Sequence, residues 1–202
     1  MIAEVPKLLL ATTNPGKIRE YRSLLGDLGY EIVTLSEEEK NKATTESGNS
    51  YEQNAQLKAA TYAKSTRLMT IADDSGLEVD ALDGEPGIHS ARFAGKDATD
   101  ADRMRTLLAK LADIPWEKRG AHFRCVIAIV RPEGQSELCD GECHGTIAFE
   151  ARGENGFGYD PIFYLPEIGK TMAEVSFEMK NQVSHRAQAS RKAREVLKRL
   201  CA

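Results

Sequence analysis

Short apolar runs alternate with helix-like segments along the first half of the chain. Because apolar residues of those segments recur every three or four positions, the pattern predicts strands that alternate with amphipathic helices. One helix is predicted to begin after Asn14 and end at Gly29, and a second is predicted to begin after Ser50. The same reasoning predicts strands over residues 7–12, 30–35, 68–72, 77–82, 122–131 and 137–149, and helices that begin after Thr99 and Ser184.

This order of elements predicts an α/β fold with a mixed central sheet flanked by helices. The 202 residues contain no internal repeat, low-complexity segment or polar linker that would divide them. We therefore expect a single domain over residues 1–202, built as two lobes. A polar connection over residues 37–50 is long for a loop within a domain, which favours a functional role for it.

Charge and hydropathy narrow the class of partner. Lys and Arg together number 27 against 31 Asp and Glu, which gives a net charge of −4. Proteins that bind nucleic acid polymers normally present a net basic surface, so this balance disfavours DNA or RNA and leaves a small phosphorylated ligand. No segment approaches the roughly 20 apolar residues of a membrane helix, so we expect no membrane association.

The four cysteines are not expected to form structural disulfides, because a chain of this length buries a sufficient core without them. The apolar run near the N-terminus is too short for a signal peptide, which predicts a reducing, cytoplasmic location. Cys139, Cys143 and His144 resemble a metal-binding spacing only loosely, and strand packing is the favoured interpretation.

A first candidate site lies where a predicted strand passes into a helix, over Thr12, Thr13, Asn14, Pro15, Gly16 and Lys17. Free N–H groups and the positive end of the helix dipole at such a junction favour an anion. This is not a P-loop, because Ala11 and Ile18 stand where that motif requires Gly and Ser or Thr. The alternative is an Asn-Pro helix cap followed by a solvated lysine.

A second candidate site is the run Asp73-Asp74-Ser75-Gly76 after an apolar strand. Since neighbouring side chains of a strand point to opposite faces, one carboxylate is expected to face a cleft while the other supports the turn. A carboxylate at the end of a strand suits Mg²⁺ or a base that activates water. The alternative is an ordinary polar turn.

Lys58 falls on the apolar stripe of the helix that follows Ser50. Its stem can lie along the helix while its ammonium group reaches solvent, which explains most lysines in such positions. The functional alternative requires an anion nearby, positioned by Glu46 or by a metal-bound phosphate.

Residues 153–161 form a glycine-dense segment that holds two aromatic residues and a carboxylate. Glycine permits close approach of the backbone, Phe157 or Tyr159 is suited to stack on a base, and Asp160 can accept a hydrogen bond from a ring N–H. A hairpin turn also uses glycine, but rarely so much of it. The segment therefore favours ligand binding.

Lys180, His185 and Arg186 lie just before and inside the first turn of the last predicted helix. Cations at that end oppose the helix dipole, and acidic residues would stabilise the helix better. A local rule broken in this way favours a functional role. The alternative is a solvated basic patch.

These segments belong to six blocks that cover nearly the whole chain: ATTNPGK, ESGNSYEQNAQLKA, ADDSGLEVDALDGEPGIHSARFAG, GENGFGYDPIF, GKTMAE and KNQVSHRAQA. In this order the blocks resemble the inosine triphosphate pyrophosphatase family, whose members hydrolyse deaminated purine nucleoside triphosphates. One departure is Thr13, where family members usually have Gly, and a threonine leaves the backbone less free to adopt a positive φ.

The resemblance implies an active site in the cleft between the two lobes, a homodimer, and Mg²⁺ as the cofactor, with Mn²⁺ as the alternative. Glu46 and Asp74 would bind the metal, and Asp74 would also accept the proton from water. Residues 12–17 would hold the triphosphate. Lys58, Asp73 and Arg92 would support the metal, the phosphates and the leaving group, and Ser75 would touch the substrate. The base would be enclosed by Phe157, Gly158, Tyr159 and Asp160. Its 6-keto oxygen would accept from Lys180, His185 and Arg186.

The implied reaction is hydrolysis of ITP, dITP or XTP between the α and β phosphates, which yields a nucleoside monophosphate and pyrophosphate. Donors aimed at a 6-keto oxygen reject adenine, because its amino group would leave their N–H groups without acceptors. The same donors would tolerate guanine, so control of a standard nucleotide pool is an open alternative. A nucleotide sensor that binds without cleaving is another, and an RNA-binding protein is disfavoured by charge.

Overall fold

The computed structural model describes residues 5–37 and 48–201. Its centre is a seven-stranded sheet in the order β2-β1-β3-β4-β5-β6-β7. Strand β1 runs parallel to β2 and β3, whereas β6 runs antiparallel to β5 and β7. The predicted α/β fold with a mixed sheet flanked by helices is confirmed.

The strands are β1 (Lys7–Leu10), β2 (Glu31–Thr34), β3 (Met69–Val79), β4 (Gly120–Val130), β5 (Ser136–Ile147), β6 (Phe163–Leu165) and β7 (Lys170–Thr171). The α-helices of the described residues are α1 (Pro15–Leu25), α2 (Tyr51–Thr66), α3 (Asp100–Lys110), α4 (Phe177–Val183) and α5 (His185–Cys201). None of these helices is long and apolar enough to cross a membrane.

The chain divides into two compact units, each with its own apolar core. The first unit comprises Met1–Asp74, Cys125–Gly141 and Ala187–Ala202, and the second comprises Ser75–Arg124 and Glu142–Arg186. Leu8, Tyr21 and Ile71 lie in the first core, and Leu77, Phe123 and Phe163 lie in the second. The single bilobal domain and the cleft between its lobes stay predictions.

Helix starts agree with the capping residues read from the sequence. The side chain of Asn14 accepts from Lys17 N, and that of Ser50 accepts from Gln53 N. Thr99 forms a reciprocal capping box with Asp102. These caps are local, because donor and acceptor lie within three residues of each other, and so they are visible in the sequence.

Some predicted boundaries differ from the structure. Helix α1 ends at Leu25 with Gly26 as its cap, one turn before Gly29. Where two strands were predicted over residues 68–72 and 77–82, one continuous strand, β3, covers Met69–Val79, so there is no turn at residues 73–76, and Asp80–Leu82 form a 3₁₀ turn. Lys180 does not simply precede the last helix but lies within the short helix α4, which Ser176 caps by accepting from Met179 N.

Candidate active site

In the first unit, the two adjacent carboxylates lie within strand β3 rather than at its end. Asp73 is 1% exposed and Asp74 is 7% exposed. The alternative of an ordinary polar turn is therefore wrong, and so is the expectation that one carboxylate supports a turn. Because neighbouring side chains of a strand point to opposite faces, the two acids meet different helices.

Asp73 forms an ion pair with Lys17, whose Nζ lies 2.9 Å from Oδ2. Lys17 belongs to the first turn of α1, and its side chain is 16% exposed. The alternative of a solvated lysine is wrong, because the ammonium group is held by a buried carboxylate. Burial of Asp73 is tolerable because the paired cation offsets much of its desolvation.

The loop that connects β1 to α1 is ordered by its own side chains. Thr12 Oγ1 accepts from Asn14 N at 3.2 Å, and Asn14 Oδ1 accepts from Lys17 N at 3.1 Å. Among the described residues, the positive-φ positions other than glycine are Arg67 and Asp83. Thr13 therefore adopts an ordinary φ, and its replacement of the usual family glycine introduces no backbone strain there.

Lys58, from helix α2, reaches the same strand. Its Nζ donates to the carbonyl oxygen of Asp73 at 3.2 Å. The ammonium group thus binds the backbone beside the two acids, which the snorkelling interpretation does not predict. Two lysines from two different helices, Lys17 and Lys58, therefore bind Asp73, one at its side chain and one at its backbone.

Asp74 is held by a residue that the sequence analysis missed. Asn54, from helix α2, is 1% exposed and donates from Nδ2 to Asp74 Oδ2 at 2.9 Å. Its other amide atom, Oδ1, accepts from Gly48 N at 2.9 Å. The available signal was a polar side chain three positions after Tyr51, on the buried stripe of the helix.

The donor chemistry at Asp74 fits a hard divalent cation, since Mg²⁺ prefers carboxylate oxygens and keeps several waters or substrate phosphates as further ligands. The described residues hold no cluster of three His, Cys, Asp or Glu side chains suited to a metal. Mg²⁺ does not need one, because one or two carboxylates suffice alongside phosphate. The second predicted ligand, Glu46, lies outside the described residues.

In the second unit, Lys180 is buried, at 3% exposed, and forms a salt bridge with Asp160, which is equally buried. The Lys180 ammonium group also lies 4.6 Å from the centre of the Phe157 ring. The solvated-patch alternative is wrong for Lys180, and it is wrong for His185 and Arg186, which are 5% and 1% exposed. Buried cations need such partners, because desolvation alone would strongly disfavour their charge.

The glycine-dense segment is shaped by two carboxylates. Asp160 Oδ2 accepts from Phe157 N at 2.8 Å, and Asp100 Oδ2 accepts from Gly158 N at 2.7 Å. Gly156 has φ +77°, and a Cβ there would lie 2.0 Å from Asp160 Oδ2. Glycine is therefore required at this position, and Phe157 is held in a fixed place.

His185 and Arg186 have separate supports. The His185 ring stacks on Phe123 at 4.7 Å between centres. Arg186 Nη2 donates to Ser75 Oγ at 3.1 Å, and its guanidinium lies 5.6 Å from the Phe157 ring centre. The structure thus brings Ser75, Phe157, Lys180 and Arg186 together in the second unit.

Two predicted site residues differ from this group: Tyr159, predicted to enclose the base, and Arg92, predicted to support the metal and phosphates. Tyr159 is 4% exposed in the apolar core, and its hydroxyl donates to Ser90 O at 3.0 Å. Burial raises the pKa of Tyr159, so the phenol remains a donor. Arg92 is exposed and lies at the end of the short 3₁₀ segment Gly87–Arg92.

Besides Asn54, the sequence analysis missed Ser90, Asp100 and Phe123 as supports of the site. Ser90 Oγ accepts from Leu77 N at 2.9 Å, which ties strand β3 to the segment that Tyr159 also contacts. These contacts join residues between 13 and 69 positions apart. Sequence patterns that span a few residues cannot predict contacts between residues this far apart in the chain.

Three of the cysteines have described side chains, and Cys125 is the one whose thiol contacts a predicted site residue, donating to Asp73 Oδ2 at 3.9 Å. Cys125, Cys139 and Cys143 are free thiols and buried. Burial raises the pKa of Cys143 from 9.0 to about 11 and also raises that of Cys139. The interpretation of Cys139 and Cys143 as strand-packing residues agrees with this burial.

Comparison with known proteins decides the family. The Ham1 family model matches residues 8–196 of this chain. The chain belongs to the Ham1 family. The match spans both units, from strand β1 into helix α5.

Relatives of this Ham1 chain resemble it over nearly the whole length. A protein of Desulforamulus reducens named dITP/XTP pyrophosphatase is 48% identical, over 96% of each chain. One of the same name from Yersinia pseudotuberculosis is 51% identical, over 91% of this chain and 93% of its own. The solved structure of the Staphylococcus aureus Ham1 protein has a TM-score of 0.84 at 42% identity, over 95% of this chain and 97% of its own.

Proposed function

We propose that this Ham1 chain hydrolyses the deaminated purine nucleotides ITP, dITP and XTP to nucleoside monophosphate and pyrophosphate. The observation that carries the proposal is its full-length relation to proteins named dITP/XTP pyrophosphatases. The residues add chemical support, because the first unit brings lysines from two helices to the carboxylates of strand β3, while the second groups cations around an aromatic ring.

The first unit would bind the triphosphate and activate water. Lys17 and Lys58, with the residues 12–16 at the start of α1, would neutralise the phosphate charges. Asp74 would accept a proton from the attacking water as its oxygen bonds to the α phosphorus and the bond to the pyrophosphate oxygen breaks. Glu46 and Asp74 would hold Mg²⁺, or Mn²⁺ in its place, and the cation would supply charge stabilisation for the leaving pyrophosphate.

The second unit would select the base. Phe157 offers an aromatic face, and Lys180, His185 and Arg186 offer donors for the 6-keto oxygen. These donors are fixed by Asp160, Phe123 and Ser75 before a ligand binds. An adenine amino group would leave them without an acceptor at a buried position, which is the basis of the proposed discrimination.

Assembly and location belong to the same proposal. We expect the enzyme to be a homodimer that acts on the nucleotide pool of the cytoplasm. Cys125, Cys139 and Cys143 are free thiols, which supports a reducing location, because disulfides form and persist mainly in oxidising compartments.

The experiment that tests the proposal is release of pyrophosphate from ITP, XTP, GTP and ATP at equal concentration, with Mg²⁺ and with a chelator. We expect ITP and XTP to react at least a hundredfold faster than ATP, and the chelator to abolish the reaction. Release of orthophosphate instead of pyrophosphate would contradict the bond assignment. Tight binding of ITP without turnover would indicate a nucleotide sensor instead of an enzyme. Equal turnover of all four nucleotides would show that Lys180, His185 and Arg186 do not select the base.

A further inference from the structure

We propose that Asn54 is a positioning residue that fixes the Asp74 carboxylate and ties it to the chain segment that precedes helix α2. The inference rests on the proposed role of Asp74 as base and metal ligand. Asn54 does not touch substrate in this account. It acts through Asp74.

The orientation of the Asn54 amide follows from its two contacts. Gly48 N can only donate, so the atom 2.9 Å from it must be the amide oxygen, Oδ1. The amide nitrogen then faces Asp74 Oδ2, 2.9 Å away, and donates to it. The side chain is 1% exposed, so water does not compete for either contact.

A donor on one carboxylate oxygen restricts rotation of the whole group. With Oδ2 held by Asn54, the other oxygen of Asp74 has a fixed direction, which is what a metal ligand or a proton acceptor requires. Asp73 shows the contrast, because its Oδ2 is held by Lys17, a full positive charge. The Asn54 amide carries no charge, so it orients Asp74 without itself neutralising the carboxylate.

The contact with Gly48 extends this order along the chain. Asn49 N donates to Gln53 Oε1 at 2.9 Å, and Asn54 N donates to Ser50 O at 3.0 Å, so residues 48–50 are folded onto the start of α2. A Cβ on Gly48 would lie 2.8 Å from Asn54 Oδ1, so this close approach requires glycine. Asn54 therefore holds both the Asp74 carboxylate and the described residues that directly precede α2.

The test compares Asn54→Leu, Asn54→Asp and a control, Ser50→Ala, in steady-state hydrolysis of ITP. Removing a residue that orients a metal ligand typically costs about 10- to 100-fold. We expect that loss in kcat for both Asn54 variants, with KM changed much less. Ser50→Ala removes the cap of the same helix, so it should lower thermal stability while kcat stays unchanged.

Asn54→Asp separates orientation from structural support. At pH 9 its carboxylate still accepts from Gly48 N but cannot donate to Asp74, and it repels that charge. A merely structural Asn54 predicts that kcat falls only as far as the folded fraction does, so that kcat per folded molecule stays nearly normal in both variants. The positioning role predicts a loss as large as that of Asn54→Leu.

A second readout does not depend on turnover. Mn²⁺ binding to the free protein, followed by electron paramagnetic resonance, should weaken about 10- to 100-fold in Asn54→Leu and stay unchanged in Ser50→Ala. Normal kcat and normal Mn²⁺ affinity in Asn54→Leu would overturn the inference. If Asp74→Asn were fully active, the proposed function of Asp74 would fail instead, which distinguishes the two failures.

Discussion

The two groups of predicted site residues hold their charges in different ways. In the first unit, acids are buried within strand β3, and Lys17, at 16% exposed, reaches one of them from a helix. In the second unit the cations themselves are buried, with Lys180 at 3% and Arg186 at 1% exposed, against a carboxylate and an aromatic ring.

This difference indicates a division of labour. Lysines that keep some exposure can neutralise a hydrated, highly charged triphosphate without a large cost of desolvation. Burial of a cation costs much more desolvation free energy. A site gains selectivity from that burial where the buried N–H groups accept one ligand atom as a partner and reject others. This contrast supports the proposal that residues of the first unit set the reaction rate and residues of the second select the base.

The largest expected effect comes from breaking the buried ion pair of the second unit. Lys180→Met leaves Asp160 buried without this cation, which should lower the free energy of unfolding by about 3–5 kcal/mol. Chemical denaturation measures this loss. Adding Asp160→Asn should restore most of the stability, because Asn still accepts from Phe157 N, but it should not restore discrimination between ITP and ATP.

A smaller effect is expected from Gly156→Ala. The added Cβ would clash with Asp160, and alanine is strained at the φ of +77° found here. We therefore expect the free energy of unfolding to fall by about 1–3 kcal/mol and the ratio of ITP turnover to ATP turnover to decrease. The control is Gly134→Ala in the first unit, where φ is +98° but nothing lies within 4 Å of the added atom. If the control narrowed the ratio equally, the role of the glycine-dense segment in base selection would be refuted.

The smallest effect concerns pH and the core of the second unit. Burial raises the pKa of Cys143 from 9.0 to about 11, so its contribution to stability is complete below pH 9 and is lost as pH rises towards 11. The midpoint temperature of thermal unfolding should therefore fall less steeply between pH 8 and pH 11 for Cys143→Ala than for the parent protein. An equal slope for the two proteins would show that Cys143 makes no such contribution.

Features with local causes were predictable from the sequence. Asn14, Ser50 and Thr99 cap their helices as expected, because a cap depends on residues three positions away. The alternation of elements predicted the mixed sheet for the same reason. The lysines, carboxylates and aromatic residues of the candidate site were also visible as residue types.

Features with distant causes were not predictable. Asp-Asp-Ser-Gly favours a turn in isolation, yet β3 continues through it because Lys17 and Asn54 stabilise the two carboxylates from elements far along the chain. The burial of Lys180 depends in the same way on Asp160, 20 positions away. Tyr159 was expected at the base, but its hydroxyl is bound by Ser90 within the core.

One measurement tests the division of labour most directly: kcat/KM for ITP and for ATP in the parent protein, Asp74→Asn and His185→Phe. Asp74→Asn should lower both values by the same factor, on the order of 10²–10⁴, and leave their ratio unchanged. His185→Phe keeps an aromatic ring against Phe123 but loses the donor, so it should lower the ITP value alone, by roughly ten- to a hundredfold. A changed ratio in Asp74→Asn, or an unchanged ratio in His185→Phe, would contradict the assignment of rate to one unit and selection to the other.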